Sequence, residues 1–435
     1  MIPVRAFEGK TVAVFGLART GLAAARALVA GGAEVALWDE KPASRAAAEA
    51  AGFALTDLSK ADWSQFAALM LSPGVPLTHP APHWTVERAK AAGVEILGDM
   101  ELFARAVNAA PEHKRPKIVA ITGTNGKSTT TALIHHIVET AGIPARLGGN
   151  IGLPILGEKP LQAGGIYVLE LSSYQLDLTF TLDCDVAVLL NLTPDHLDRY
   201  DGFEGYAAAK ARLFAMQSPS HDAVIGIGDE ASAAIARSLS SRGEHLHKIA
   251  PGVCLDQSRW PSLQGPHNAQ NALAAITACQ ALGIPEAAID AGLESYKGLP
   301  HRMEWVGVVD GVTYVNDSKA TNPDSTAPAL AAFERIHWIL GGRAKIDNLD
   351  ACRPSFSHVR AAYTIGEAGM LFRDLLQDVI PTTYVGTLPD AIDLAHAAAE
   401  PGDTVLLSPA CASFDQFRDY EDRGDTFRGL VEALT

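Results

Sequence analysis

Short apolar runs recur along this chain between longer stretches in which alanine and leucine fall at helical spacing. From Lys10 to about Asp99 the runs Thr11–Phe15, Glu34–Trp38, Ala68–Leu71 and Val94–Ile96 predict strands separated by helices, the signature of a βαβ sheet. The polar segment Asn108-Ala-Ala-Pro-Glu-His-Lys-Arg-Pro116 breaks the periodicity and reads as a linker. A second alternating stretch begins at Lys117 with Lys117–Ile121, continues through Ile166–Leu169, Val186–Leu190 and Ala223–Ile227, and ends near Lys297-Gly-Leu-Pro300. After His301-Arg302, Trp305–Val309 and Val312–Asn316 flank Asp310-Gly311, a favoured two-residue hairpin turn. Strands are then expected at Ile336–Leu340, Ala362–Ile365, Thr382–Val385 and Val405–Leu407, with a helix over Asp390–Ala399. The fold class is therefore α/β, with three consecutive domains expected over residues 1–108, 109–299 and 300–435.

Composition narrows the function. A chain of 435 residues with 48% hydrophobic and 20% charged residues suits packed globular domains of ordinary size. No apolar stretch approaches the roughly 18 residues a membrane span requires; Thr11–Trp38 is broken by Arg19, Arg26 and glycines, and no leader pattern precedes it. The five cysteines (Cys184, Cys254, Cys279, Cys352, Cys411) lack any C-x-x-C pair, as expected of thiols in a reducing compartment, so a cytoplasmic protein with no membrane partner is expected. A net charge of −15 argues against nucleic acid as a partner, yet leaves room for a phosphorylated small molecule held by local cations and helix N-termini.

Three places carry phosphate or metal chemistry. In Ala120-Ile-Thr-Gly-Thr-Asn-Gly-Lys-Ser-Thr129 a strand feeds a glycine turn that opens a helix. Backbone N–H groups there point at phosphate oxygens, Lys127 reaches the β- and γ-phosphates, and Ser128 offers its hydroxyl to Mg²⁺. The spacing departs from the general phosphate-loop pattern: Ile121 stands where that pattern has glycine, and the early glycine is Gly123. A second turn, Gly16-Leu-Ala-Arg-Thr-Gly21, is trailed by Asp39 as a dinucleotide fingerprint requires, but Ala18 replaces the glycine that lets backbone approach a pyrophosphate. The loop Leu71-Ser-Pro-Gly74 is placed to donate N–H groups to the same crevice. Glu170 closes a buried strand, where Mg²⁺ or the N–H groups of a helix start would offset its charge. Asn191-Leu-Thr-Pro-Asp-His-Leu-Asp-Arg-Tyr200 brings a histidine and two aspartates to the end of another strand, an arrangement that suits a metal or substrate role. Tyr206, Lys210, Leu213 and Phe214 share one helix face; from spacing alone Lys210 most often snorkels to the surface, whereas a buried Lys210 could take up CO₂ as a carbamate.

The segments Gly123–Thr129, Glu170–Gln175, Asn191–Tyr200, Lys210, Gly265–Asn271 and Asn316–Asn322 occur in the order and spacing of the Mur ligase superfamily, most closely its D-glutamate-adding members, and the likeness runs from Gly16 to Ser408–Phe417. The resemblance implies a Rossmann-like UDP-binding domain, a P-loop ATPase-like central domain and a Rossmann-like C-terminal domain. It implies a monomeric ATP-dependent carboxylate–amine ligase of peptidoglycan synthesis whose substrates are UDP-N-acetylmuramoyl-L-alanine, D-glutamate and ATP, with Mg²⁺ as cofactor. On this resemblance Gly123, Thr124, Asn125, Gly126, Lys127, Ser128 and Thr129, with Asn268, Asn271, Arg302 and Asp317, bind ATP. Ser128, Glu170, His196 and carbamylated Lys210 serve the metals, so that Lys127, His196 and Lys210 are the catalytic set. Arg19, Thr20, Asp39, Ser72, Gly74 and Asn150 face the UDP-muramoyl substrate, and Thr321, Lys345, Ser413 and Tyr420 hold the glutamate. Two positions differ from the common pattern: Gly341-Gly-Arg-Ala-Lys345 lacks an Asp-Gly pair before the lysine, and Tyr420 stands where phenylalanine is common. Other readings are a related ligase for another amino acid, a nicotinamide dehydrogenase, which Ala18 disfavours, and a non-catalytic nucleotide-binding module, which the presence of Lys127, Glu170, His196 and Lys210 disfavours.

Overall fold

The structure, a computed structural model, describes residues 1–252 and 255–434. Cys254, among the thiols expected above, lies outside the described residues; Cys184, Cys279, Cys352 and Cys411 are buried thiols with no disulfide. Three sheets carry the chain. The first orders its strands β2-β1-β3-β4, with β1 Thr11–Phe15, β2 Glu34–Trp38, β3 Phe66–Leu71 and β4 Glu95–Leu97, all parallel. The second orders them β10-β9-β8-β5-β7-β6, with β5 Lys117–Thr122, β6 Ala145–Gly149, β7 Ile166–Glu170, β8 Val186–Leu189, β9 Asp222–Gly226 and β10 Leu246–Ile249, again all parallel. The third orders them β11-β12-β16-β13-β14-β15, from β11 Glu304–Val309, β12 Val312–Asn316, β13 Ile336–Gly341, β14 Val359–Ile365, β15 Thr382–Gly386 and β16 Thr404–Leu407; only the β11–β12 hairpin is antiparallel.

The expected strands are present with ends shifted by up to three residues, and two were not anticipated: β6, which contains two glycines, and β10, Leu-His-Lys-Ile, whose polar residues hide it. Both are edge strands, which need not be apolar on both faces. The helix expected over Asp390–Ala399 spans Leu388–Ala398, entered through Pro389 and capped by Thr387.

The chain divides into two compact units, one of residues 1–251 with 270–292 and the other of 252–269 with 293 onward. The first unit holds two sheets because one apolar core runs through both, from Val12 and Leu28 to Tyr167 and Leu189. The helix Asp99–Asn108 is the bridge: its Phe103 ring meets Tyr167 edge-on at 4.9 Å, and buried Glu101 accepts N–H bonds from Phe180 at 2.7 Å and Thr181 at 2.9 Å. In the second unit apolar clusters cover the two faces of the third sheet, one around Trp338 and Phe372, the other around Ile339 and Phe427.

Candidate active site

In the central sheet the neighbours β6, β7, β5 and β8 release Asn150, Glu170, the Gly123–Ser128 turn and Asn191–Tyr200 at one carboxyl edge, although these segments lie far apart in sequence. The chain leaves β5 for partners on both sides of it, the kind of switch point where parallel α/β sheets bind ligands. Gly126 has φ 84°, a left-handed conformation that glycine adopts without strain, and caps the helix Lys127–Thr140. A side chain at Gly126 would collide with Oδ1 of Asn271, so the Asn271 carboxamide lies over the turn. Lys127 Nζ donates to Thr124 O at 2.7 Å, which holds the ammonium at the loop; Ser128 is buried in the first turn of the helix.

Glu170 is 2% exposed. Its Oε1 accepts from Asn150 Nδ2 at 2.8 Å, while Oε2 is buried without a hydrogen-bond partner. The Asn150 N–H also donates to Glu170 O at 2.8 Å. The helix Gly202–Ala215 buries Tyr206, Ala209, Lys210, Leu213 and Phe214. Lys210 therefore does not snorkel, contrary to the commoner expectation: it is 2% exposed, with Nζ 3.3 Å from Thr122 Oγ1 and 4.8 Å from the Tyr206 ring centre. Burial, followed by the charge of Lys127, pulls its pKa down to about 7 against the opposing pull of Asp195 and Glu170. His196 is exposed, in a left-handed backbone conformation with φ 52°, its Nε2 3.4 Å from Asp195 Oδ2 and its ring 5.1 Å from that of Tyr174. Asp195 and His196 converge as expected, and the charges of Asp195 and Asp198 both act on Tyr174 beside them.

No group of three or more His, Cys, Asp or Glu side chains able to hold a metal occurs among the described residues. A cation at this edge would thus draw on hydroxyl, phosphate and water oxygens beside one carboxylate, the donor set Mg²⁺ favours. The orphaned, buried Glu170 Oε2 and the adjacent hydroxyl-bearing helix start fit that ion.

The first sheet builds a second cleft at the carboxyl ends of β1, β2 and β3. A Cβ on Gly21 would stand 1.8 Å from Gly16 O, so the helix Arg19–Ala30 packs onto its own turn only because residue 21 is glycine. Asp39 is inward and engaged: Oδ2 accepts from Leu17 N at 2.7 Å and Oδ1 from Lys41 N at 2.8 Å. Ser72 Oγ donates to Gly16 O at 2.8 Å. Its N–H goes to Phe15 O at 3.0 Å, so within the loop Leu71–Gly74 it is not the Ser72 N–H that faces the crevice. Arg19 is exposed and Thr20 half-buried at the helix start, and Gly74 O accepts from Arg199 Nη1 at 3.3 Å, so the second cleft adjoins the Asn191–Tyr200 segment.

In the second unit the adjacent strands β12, β16 and β13 release Asp317–Thr321, Ser408–Ser413 and Gly342–Lys345 side by side. Lys345 Nζ donates to Thr321 Oγ1 at 3.2 Å. Ser413 is buried, and Tyr420 opens the helix Tyr420–Glu432 with its hydroxyl 2.9 Å from Lys319 Nζ. Arg343 turns outward to Glu367 at 3.2 Å, away from the Lys345–Thr321 pair. Asp317 is buried, accepting from Ser408 Oγ at 2.8 Å and Met303 N at 3.1 Å; desolvation outweighs these bonds and raises its pKa to about 7. Arg302 is half-buried, and Asn268, on the helix Pro266–Ala281 that also carries Asn271, donates to Gln264 O at 3.1 Å. Sequence reasoning assigned no role to Lys319, nor to Arg423, whose guanidinium bonds Ser318 O and Cys411 O under this edge. Nor did it give one to Asn191, which touches the glycine turn directly. Its position directly after an apolar strand was the available signal.

Comparison with known proteins agrees with this geometry. Residues 10–98 match the Mur ligase MurD-like N-terminal domain, 121–252 the Mur ligase middle domain and 301–411 the Mur ligase glutamate ligase domain. Over its whole length the chain is 58% identical to a UDP-N-acetylmuramoylalanine–D-glutamate ligase of Novosphingobium aromaticivorans, covering 97% of that protein. It is 55% identical to the protein of that name from Caulobacter vibrioides, with 98% of the relative covered, and 50% identical to the one from Zymomonas mobilis, with all of it covered. Among solved structures, UDP-N-acetylmuramate–alanine ligase of Thermotoga maritima superposes with a TM-score of 0.58 at 17% identity, covering 98% of this chain and 100% of that one. A UDP-N-acetylmuramoyl-L-alanyl-D-glutamate–2,6-diaminopimelate ligase gives 0.57 at 19% identity, covering 86% and 94%; at such identities these two speak for the fold. The chain belongs to the Mur ligase family, within its UDP-N-acetylmuramoylalanine–D-glutamate ligase branch.

Proposed function

We propose that the chain joins the amine of D-glutamate to the terminal carboxylate of UDP-N-acetylmuramoyl-L-alanine with ATP as co-substrate, a step of peptidoglycan synthesis in the cytoplasm. The observation that carries this reading is what gathers at one sheet edge: a phosphate turn, a buried carboxylate with one unused oxygen, and a buried lysine against Thr122 that interacts with Lys127 and Glu170. Full-length identity of 50–58% to relatives bearing that ligase's name supports the choice of amino acid.

A carboxylate resists attack by an amine until it carries a leaving group. Transfer of the γ-phosphoryl group of ATP to the substrate carboxylate gives an acyl phosphate; the D-glutamate nitrogen then adds to its carbon, the tetrahedral intermediate collapses, and phosphate leaves as the amide forms. The turn Gly123–Thr129 orients the phosphates through the N–H groups of its helix start, and Lys127 follows the charge that moves. Ser128 and Glu170 would hold one Mg²⁺, with Asn150 fixing the rotamer of Glu170; His196 and Lys210 would serve a second. When bound, the ions neutralise phosphate charge. Lys210, with a pKa near 7, is reactive as the neutral amine: its nitrogen adds to the carbon of CO₂, loses a proton and becomes a carbamate. Asn268, Asn271, Arg302 and Asp317 take the nucleoside. Arg19, Thr20, Asp39, Ser72 and Gly74 shape the uridine diphosphate cleft, with Asp39 acting through the turn it braces. Thr321, Lys345, Ser413 and the backbone at Tyr420 take the glutamate carboxylates, and the protein works as a monomer.

Purified protein with ATP, Mg²⁺ and UDP-N-acetylmuramoyl-L-alanine, offered a panel of amino acids, should release phosphate rapidly with D-glutamate alone. Equal turnover with diaminopimelate, L-lysine or L-alanine would overturn the assignment. Mass spectrometry of the native protein in bicarbonate should find the carbamate on Lys210, and an unmodified lysine in fully active enzyme would refute that part.

A further inference from the structure

The phosphate turn is held from outside as well as by its own bond from Lys127 Nζ to Thr124 O. Residues 123–126 are fastened to the segment that follows β8 by a set of hydrogen bonds in which Asn191 is central. Asn125 N–H donates to Asn191 Oδ1 at 2.9 Å, Asn191 Nδ2 donates to Asn125 O at 3.1 Å, and Thr124 N–H donates to Asn191 O at 2.9 Å. Two residues on, Thr193 N–H donates to Thr124 Oγ1 at 3.0 Å, and the same oxygen lies 3.1 Å from the Tyr206 hydroxyl. The carboxamide of Asn191 thus meets both backbone groups of one residue. Its orientation is fixed by that fact, since the reverse would set donor against donor and acceptor against acceptor.

The consequence follows from peptide geometry. The Asn125 carbonyl and the Gly126 N–H belong to one planar trans peptide and point in opposite directions. Drawing the carbonyl towards Asn191 turns the Gly126 N–H the other way, to the side where the opening turn of the Lys127–Thr140 helix presents its own N–H groups. Gly126, with φ 84° and no Cβ, adds no side chain of its own to resist rotation of this peptide, although the Asn271 carboxamide and Leu190 lie close beside it. What sets its direction is the partner of the carbonyl.

We infer that Asn191 is a positioning residue for nucleotide binding: its carboxamide locks the Asn125–Gly126 peptide so that the Gly126 N–H is aimed at the β-phosphate. The inference rests on the ATP-loop reading above. Asn191→Asp is nearly isosteric but replaces the donor facing Asn125 O with a second acceptor. The peptide relieves that conflict by flipping, which gives the Gly126 N–H to the carboxylate and takes it from the phosphate. Asn191→Ala removes the lock without the repulsion.

The test is calorimetric binding of ADP and AMP to wild type, Asn191→Asp, Asn191→Ala and Lys127→Ala, with UDP-N-acetylmuramoyl-L-alanine binding and thermal melting measured in parallel. Asn191→Asp should weaken ADP by about 10- to 100-fold, the range for a lost hydrogen bond to a charged group. AMP, which has no β-phosphate, and the UDP substrate should bind as before. Asn191→Ala should show the same selectivity with a smaller loss. Equal weakening of ADP, AMP and UDP substrate with a lowered melting temperature would mean a merely structural asparagine and overturn the inference. Unchanged ADP binding in both Asn191 variants, with ADP weakened in Lys127→Ala, would overturn it while leaving the ATP loop standing. Unchanged ADP binding in Lys127→Ala as well would overturn both.

Discussion

Asp39 and Glu170 occupy equivalent places in two sheets of the first unit, each an acidic side chain at the carboxyl end of a parallel strand beside a strand that opens a glycine turn. Asp39 spends both oxygens on its surroundings, taking the N–H of Leu17 inside the first turn and that of Lys41. Glu170 spends one, on Asn150, and keeps the other buried and without a partner. A buried acceptor left unmade is costly, so the two carboxylates have opposite thermodynamic characters: Asp39 stabilises the apo fold, and Glu170 strains it in favour of a ligand. The same contrast separates the turns. The first is shaped by a carboxylate and a serine, the second by a carboxamide, which leaves the carboxylate of the central sheet to chemistry.

Glu170→Gln is the most severe test of this contrast. Turnover should fall by about 10²–10³-fold, as for the loss of one charge-stabilising group, while the melting temperature of the protein without ligands holds or rises. A large loss of stability would place Glu170 in the same class as Asp39. Lys127→Ala should lower turnover by about 10²-fold with the melting curve unchanged, because its ammonium serves the moving phosphate more than the fold. Near-normal phosphate release would break the central-sheet half of the comparison. Asp39→Asn should behave in the opposite sense: an amide N–H₂ now confronts a backbone N–H, so stability drops by about 1–3 kcal/mol while kcat stays within a few-fold and the KM for the UDP substrate rises. Denaturant melts and steady-state kinetics on the two carboxylate variants would read the contrast directly.

Asp317 extends it to the second unit as a carboxyl group that burial pushes up to about 7. Its raised folded-state pKa adds stability that is fully present below the unfolded value near 4 and is lost as pH rises through about 7. Between pH 5 and 7 that loss is at most about 2–3 kcal/mol, and Asn at this position, which has no proton to lose, should flatten the slope. Melting curves at pH 5, 6 and 7 for wild type and Asp317→Asn check this; parallel slopes would mean the carboxyl is already ionised at pH 5.

The interior strands were legible because buried parallel strands are continuous apolar runs, as Ile166–Glu170 and Val186–Leu189 illustrate. The edge strands Ala145–Gly149 and Leu246–Ile249 were not, since glycine, arginine, histidine and lysine erase the run where one side of the sheet is open. In the site, Gly123–Ser128, Glu170 and Lys210 could be found because each places an unusual residue type in a strong local context. The burial of Lys210 could not be fixed by spacing, because snorkelling and full burial use the same helix face; the neighbours Thr122 and Tyr206 decide between them. Asn150 and Asn191 were visible as residues but not as braces, since each acts on a segment from another part of the chain.

The hydrogen bond from Asn125 to Asn191 joins residues 66 positions apart, and β5 lies between β7 and β8, both made after it. A ribosome adding about 5–20 residues per second needs roughly 3–13 s to pass from the turn to its brace. Through that interval the nascent turn lacks the partner that fixes its peptides. Nucleotide therefore meets an unbraced turn while the central sheet is young, and full affinity for its β-phosphate waits until β8 has joined β5 and its trailing asparagine has emerged.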